Sequence, residues 1–289
     1  MSAIGRFFAR RYLTRASKEH LAQYPQIACH AFDLITTYVM LDGQYERDEL
    51  DLLAKSVFPD LPPHGTCLDV GANIGNHSLH FAGHFSRVIS LEPHPRNFGL
   101  LQMNAQLAEN VHPLNIGASD RAGTIDIVED RTNLAASSIH RSAGRDGRVV
   151  PFNLVRIDDI PEVQEADAIT FIKFDIEGHE ATAIAGAQDT IRRHRPVVML
   201  EILKDEISEG SAASLDALRT LGYTHFLEPV EKGLIGRAPR KIKKLLRSLK
   251  AITTLRRVSK ADKLVRIDRL EPRNYLMVIC STEPLRSVG

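Results

Sequence analysis

A chain of 289 residues, 43% apolar and 25% charged, has the balance of a folded globular protein, and its length suits one sizeable α/β domain with additions or two small ones. Its formal charge of +1 conceals two cationic segments. Residues 1–18 carry five basic and no acidic side chains, and the stretch from Arg237 to Lys260 carries ten basic and none acidic, so the rest of the chain is net acidic. No run of about 18 apolar residues is present, which argues against a spanning helix. The basic start MSAIGRFFARRY lacks the apolar stretch and small-residue cleavage site of a secretory leader. Cys29, Cys67 and Cys280 are scattered and show neither metal spacing nor a disulfide framework, so they read as buried thiols in a reducing cytoplasm.

Residues 1–60 read as a helical segment: Leu50, Leu53, Ala54 and Val57 fall at helical spacing, and Pro59, Pro62, Pro63 and Gly65 then break the chain. From Thr66 short apolar runs alternate with helical stretches. The runs are TCLDV, RVISLE, VHPLNIGAS, ITFIKFD and PVVMLEI; the stretches between them include NHSLHFAGHF, PRNFGLLQMNAQLAEN and EATAIAGAQDTIRRH. This order predicts a doubly wound, mainly parallel sheet over residues 61–289. TIDIVE and VPFNLVRI add strands around a polar loop. YTHFLE, a basic helical excursion at about 231–270 and NYLMVICS predict an antiparallel pair closing the sheet edge.

The chemistry concentrates where strands end. Asp69-x-Gly71-x-Asn73-x-Gly75 follows a buried strand and opens a helix, where glycines let the backbone approach a ligand. Asn73 and Asn76 stand where a dinucleotide fingerprint needs glycine, which disfavours a nicotinamide dehydrogenase. An acid before the loop suits a ligand bearing an amino group and a sulfonium better than a pyrophosphate. Glu92 ends the next strand, about 20 residues on, and a carboxylate there can accept both hydroxyls of a ribose. Singly, Asp69 could cap a helix and Glu92 could be a solvated loop acid. At this spacing on successive strands the pair reads as a nucleoside site.

The fourth run delivers Lys173-x-Asp175-x-Glu177-Gly178-His179-Glu180, and the fifth delivers Glu201 at the same rim. Ionisable groups at the end of a buried strand are costly unless paired or used. Such acids beside a lysine can hold a base or a substrate hydroxyl; the plainer alternative is a Lys173–Glu180 network that braces the loop. His77, His80 and His84 read as ordinary histidines on a helix flank rather than as a metal triad.

In order and spacing, LDVGANIGNHSLHFA, VISLEPHPRNFGLLQMNA, NIGASDRAGTIDI, VRIDDI, FIKFDIEGHEATAIAGAQDTI and RPVVMLEI resemble the FkbM family of methyltransferases, from about residue 43, where GQYERDEL begins, to 202. The resemblance implies a class I, Rossmann-like methyltransferase fold with a seven-stranded sheet whose last strand is antiparallel. It implies S-adenosyl-L-methionine as donor and transfer to oxygen, often on sugars of polysaccharides, glycolipids or natural products. It carries Asp69, Gly71, Asn73 and Gly75 onto the methionine part of the donor, Glu92 onto the ribose and Asp120 onto the adenine. Asp175, Glu177 and Glu180 border the transferred methyl, and Ser138 lies in a small-residue loop near the site.

In-line transfer to a hydroxyl needs alignment and proton removal. Asp175 or Glu177 is the preferred base and His179 the runner-up; Lys173 belongs to the same catalytic cluster, Glu180, Glu201 and Ser138 to the acceptor side, and Asp175 as a ligand of a divalent metal stays open. Methylation of nitrogen on a small molecule or protein, and a non-catalytic donor-binding scaffold, are the alternatives. In the basic excursion Ile242, Leu245, Leu246, Leu249, Ile252 and Leu255 fall at helical spacing. This fits either a helix packed on the domain or contact with an anionic membrane surface, placing the protein in the cytoplasm, at times peripheral to the inner membrane. Nucleic acid is disfavoured, since no aromatic platform interleaves with the cations.

Overall fold

The computed structural model describes residues 2–129, 148–230 and 263–286. The chain opens with three helices, α1 (Ala3–Leu21), α2 (Leu34–Asp42) and α3 (Arg47–Ser56). It then alternates β1 (Thr66–Val70), α4 (Asn76–Ala82), β2 (Arg87–Leu91), α5 (Pro95–Ala105) and β3 (Val111–Leu114). A small three-stranded sheet follows from β4 (Gly117–Ala118), β5 (Gly123–Glu129) and β6 (Arg148–Val155), and then α6 (Pro161–Gln164). The main sheet resumes with β7 (Ile169–Phe174), α7 (Glu180–Ala185), α8 (Gln188–His194), β8 (Val197–Ile202), α9 (Ala213–Thr220), β9 (His225–Val230), β10 (Lys263–Arg266) and β11 (Tyr275–Ser281).

The main sheet runs β10-β9-β11-β8-β7-β1-β2-β3. Strands β3, β2, β1, β7 and β8 are mutually parallel, and β11 is antiparallel to both β8 and β9. The expected antiparallel closing pair is thus β9 with β11. Among the described residues the sheet has eight strands, one more than the family resemblance implies, because β10 extends the edge antiparallel to β9. VHPLNIGAS is not one strand: Asn115 donates to the carbonyls of Glu92 and Pro93, and the chain passes from β3 into β4 of the small sheet. Ser138 and the stretch from Arg237 to Lys260 lie outside the described residues.

The central strands are buried on both faces, which is why their sequences are continuous rather than alternating. One face packs Leu68, Val70, Ile172, Phe174, Val198 and Leu200 against Ala183, Ile184, Ile191, Leu215 and Leu218 of the following helices. The other packs Cys67, Val88, Phe171, Met199 and Ile279 against Leu50 and Leu53 of α3 and Phe81 and Phe85 beside α4. Each such fully buried leucine stabilises the fold by roughly 1.5–3 kcal/mol, so α3 is a structural part of the sheet's second layer. Among the described residues no helix is long and apolar enough to cross a membrane.

Candidate active site

Register converts the strand-end motifs into two rows. In the lower row the parallel pairing sets Ser90 beside Asp69 and Asp69 beside Lys173. Two residues on, where each side chain returns to the same face, stand Glu92, Gly71, Asp175 and Glu201. The lower row is buried chemistry and the upper row opens on a cavity of about 250 Å³.

Lys173 is 1% exposed and Asp69 is wholly buried. The ammonium donates to Asp69 Oδ1 at 3.0 Å and to the carbonyl oxygen of Gly71 at 3.1 Å, and lies 3.3 Å from Asp175 Oδ2. The second oxygen of Asp69 accepts from Ser78 Oγ at 2.6 Å, and Ser78 in turn accepts from Ser90 Oγ at 2.9 Å. Burial works against the lysine charge, but the Asp175 and Asp69 carboxylates outweigh it, so Lys173 titrates above the ordinary range. Asp69 therefore spends both oxygens inside the protein and does not line the cavity.

The loop between β1 and α4 is fixed by close approach. Gly71 has φ of +83°, and a Cβ there would lie 1.9 Å from the Asp175 carbonyl oxygen, so only glycine fits. Asn73 is also left-handed, at φ of 51°. Its amide donates to Glu92 Oε2 at 2.8 Å, and the His94 amide donates to Glu92 Oε1 at 2.9 Å. Asn97, from the first turn of α5, hydrogen-bonds the same carboxyl. Burial pushes Glu92 up to about 7, and the donors from His94, Asn73 and Asn97 offset only part of that rise. Gly75, at φ of +89°, packs against Leu101 and starts α4 outside the cavity lining.

At the end of β7 the strand stops at Phe174, so Glu177 does not continue the Lys173–Asp175 face as an extended residue. A turn with φ of 55° at Glu177 and 98° at Gly178 carries its side chain to the cavity instead. Glu180 holds that turn by accepting from the amides of Ile176 at 2.9 Å and Gly178 at 3.4 Å. Glu180 is 1% exposed, lies outside the lining, and is pushed by burial up to about 7. The bracing role thus falls to Glu180 acting on backbone, not to a Lys173–Glu180 ion pair. His179 lines the cavity with Nε2 3.2 Å from Ser119 Oγ. Asp120 is exposed beside Arg121 at 3.9 Å and lies outside the lining.

Asp175 and Glu201 meet across β7 and β8 and divide their protons unequally. Burial disfavours the Asp175 charge, yet Lys173 and a hydrogen bond from Glu201 hold Asp175 below the ordinary carboxylate range. Burial, with the Asp175 charge opposite, pushes Glu201 up to about 10. Between the two, burial and the neighbouring charges bias the proton toward Glu201 and the negative charge toward Asp175.

Three polar lining residues were not read as part of the site, His77 having been set aside as an ordinary flank histidine. Tyr45 and Glu46 come from the turn before α3, and His77 comes from α4. The turn is tied to α4 by the Tyr45 amide donating to Asn76 Oδ1 at 3.1 Å and Asn76 Nδ2 donating to the Tyr45 carbonyl at 3.0 Å. Glu46 Oε2 lies 3.2 Å from His77 Nε2. Burial first, then the acids Glu46, Asp175 and Glu201, keep Tyr45 a neutral phenol well above its usual range. The available signal was GQYERDEL itself, a polar segment placed ahead of the glycine loop. Among the described residues no cluster of three or more His, Cys, Asp or Glu side chains is arranged to hold a metal ion.

A family model described as the methyltransferase FkbM domain matches residues 69–227, more than half of the chain. The chain belongs to the FkbM-domain methyltransferase family. Hexuronic acid methyltransferase AglP of Haloferax volcanii is 28% identical over 152 residues, covering 52% of this chain; the match spans 60% of that protein's own length. The structure of methyltransferase FkbM from Methylobacillus flagellatus KT is 20% identical over 66% of this chain and 48% of that one, with a TM-score of 0.37. Precorrin-6y C5,15-methyltransferase from Geobacter metallireducens GS-15 is 16% identical over 89% of this chain and 100% of that one, with a TM-score of 0.40.

Two stability predictions follow from this FkbM-domain site. Lys173→Met leaves Asp69 buried and uncompensated, so urea unfolding should show a loss of roughly 3–5 kcal/mol; Arg121→Met, at an exposed pair, should change stability by less than about 0.5 kcal/mol. Glu92 and Glu180 both titrate higher folded than unfolded. Their contribution, on the order of 3 kcal/mol each, is fully present below about pH 4.5 and is lost as pH rises through about 7. Glu92→Gln should flatten the fall of the urea midpoint across that interval, and an unchanged slope would refute the assignment.

Proposed function

We propose that the chain transfers a methyl group from S-adenosyl-L-methionine to a hydroxyl of a sugar in a glycan, glycolipid or related natural product. The observation that carries this reading is the upper row of acids, Glu92, Asp175 and Glu201, across successive strand ends on one cavity. The residues present fit the donor. Glu92 is held by three donors with its carboxyl facing the cavity, where ribose hydroxyls can donate to it. Leu91, Ala118, Phe152 and Leu154 give that end an apolar wall for a flat ring. The acids at the other end attract a cation. Gly71 and Asn73 offer backbone rather than bulk to a close ligand, and Asp69 serves the donor indirectly by fixing Lys173 beneath the loop.

When bound, S-adenosyl-L-methionine supplies an activated methyl on a sulfonium and a neutral thioether leaving group. The protein then has to align an acceptor oxygen and take its proton. Asp175 is the base: it is ionised, reaches the cavity, and can accept the acceptor's hydroxyl proton as the oxygen attacks. Glu201 donates to Asp175 and fixes its orientation. Lys173 holds Asp175 ionised from below, so the base faces the acceptor with one oxygen already neutralised. Glu177 and His179 flank this point and can bind other hydroxyls of a sugar.

The acid set does not fit a divalent cation. The Lys173 ammonium lies 3.3 Å from Asp175, and Glu201 carries a proton, so the local charge is already answered. A sugar acceptor is supported by the relative described as a hexuronic acid methyltransferase, 28% identical over 152 residues. Within the site, the acids Asp175, Glu177 and Glu46 favour hydroxyl groups, which donate to carboxylates, over a sugar's own carboxylate.

The experiment is methyl transfer from labelled S-adenosyl-L-methionine to fractionated glycans, glycolipids and proteins. Label should appear on the sugar fractions, be stable to base and persist in EDTA; label confined to protein nitrogen, or loss of turnover in EDTA, overturns the reading. Asp175→Asn should cut turnover by about 10²–10⁴-fold while calorimetry still shows donor binding. Glu201→Gln keeps a neutral donor and should stay within a few-fold of the parent, whereas Glu201→Ala should fall well below it. Equal losses in the two Glu201 variants would contradict a protonated carboxyl at that position.

A further inference from the structure

The exposed apolar side chains are not scattered. Among the described residues, thirteen large apolar side chains are exposed, and nine of them lie between Ile4 and Leu41. On α1 the residues turned toward the protein recur at Gly5, Ala9, Leu13, Ala16 and His20, a spacing of three and four that marks the docked face. The opposite face carries Ile4, Phe7 and Phe8 in its first turns, 71%, 61% and 64% exposed. Arg11, Arg15 and Lys18 continue the same face toward the C-terminal end, and Arg6 and Arg10 flank it. The one acid of the helix, Glu19, pairs with Arg15 at 2.9 Å. Helix α2 packs alongside α1 and adds Leu34, Met40 and Leu41, with Phe32 fully exposed in the turn before it.

We propose that the α1–α2 pair is a docking surface for an anionic lipid bilayer, with Ile4, Phe7, Phe8 and Phe32 entering the acyl boundary and the arginines meeting lipid phosphates. Charge and shape choose this occupant. Nine of the thirteen exposed large apolar side chains gathered in one segment stand out against the rest of the described surface. Apolar side chains in the first turns of α1, with arginines following on the same face, suit the surface of an anionic bilayer, where an arginine can keep its guanidinium at the phosphates while its stem covers apolar surface. A nucleic acid would leave Ile4, Leu34, Met40 and Leu41 without a role, because aliphatic side chains offer bases no stacking surface. The surface also adjoins the site. Leu34 is exposed on α2 and lines the cavity with its neighbour Ile35, so the docked element and the cavity mouth share a helix. This inference stands on the surface alone and does not depend on the identity of the acceptor.

The test uses the full chain and vesicles of equal parts phosphatidylglycerol and phosphatidylcholine, with pure phosphatidylcholine as the neutral reference. Cosedimentation should show binding to the anionic vesicles, weaker in high salt and much weaker on the neutral ones. The double variant Phe7→Ser with Phe8→Ser should bind at least about tenfold more weakly. Arg10→Glu with Arg11→Glu should abolish the preference for phosphatidylglycerol. Both variants alter exposed positions away from the cavity, and circular dichroism with donor calorimetry should show the parent fold and the parent site. Three outcomes would overturn the proposal: no binding to anionic vesicles; binding untouched by both α1 variants, which would put the contact elsewhere on the chain; or a dimer in solution that the Phe7/Phe8 variant dissolves while vesicles remain unbound.

Discussion

One buried ammonium organises this site. Lys173 sits in the centre of a parallel sheet, where an isolated charge would cost several kcal/mol even after relaxation. Two carboxylates and a carbonyl meet it there. Each of these comes from a different functional part: Asp69 from the strand before the glycine loop, Gly71 from the loop itself, and Asp175 from the rim. Because the three share one partner, the glycine loop and the rim acid cannot drift independently. The closeness of Gly71 to the Asp175 carbonyl enforces the same constraint sterically, since even a methyl group would collide there. A catalytic geometry that must hold within fractions of an ångström is thereby tied to the most rigid layer of the fold.

The same arrangement explains how three acids within one cavity carry different charges. Asp175 has the lysine beneath it and remains ionised. Glu201, buried and opposite the Asp175 charge, is pushed well above the ordinary carboxylate range. Glu92 lies between these cases, deeply buried but met by two backbone amides and Asn97, and titrates near 7. Environment, not residue type, sets the proton affinity of each carboxyl. A cationic ligand entering the cavity would add a further counter-charge, lowering the proton affinity of every acid it approaches.

The strand–helix alternation was legible because parallel strands are buried on both faces and stand out as short apolar runs. The rim was legible too, since Glu92, Asp175 and Glu201 each close such a run. Partnership was less so. Asp69 read as a ligand group because its motif precedes the loop, but its register neighbour on β7 is Lys173, and pairing across 104 positions leaves no local trace. Glu180, read with Glu177 as bordering the site, lies off the cavity for a similar reason: the left-handed turn at Glu177 and Gly178, not strand alternation, decides which of the two faces it. Strand count failed at β10, a short segment whose sequence KLVR alternates only weakly and whose assignment rests on pairing with β9.

The N-terminal segment shows why acceptor chemistry is harder to read than donor chemistry. The strand-end residues Glu92, Asp175 and Glu201 each follow a short apolar run, so the sequence marks where they stand. Tyr45 and Glu46 reach the cavity through a turn that Asn76 clamps onto α4, with His77 opposite Glu46. No period links these positions. The turn also belongs to the same helical segment whose outer face carries the exposed apolar and cationic side chains. Movement of α1 or α2 would reach the cavity directly through Leu34 and Ile35 and less directly through the turn at Gly43, whose left-handed backbone packs against Tyr24. The segment that meets the surroundings and the turn that closes over the cavity are continuous, and the same segment reaches the Glu92 end through His30, whose ring nitrogen lies 3.0 Å from Asn97 Oδ1.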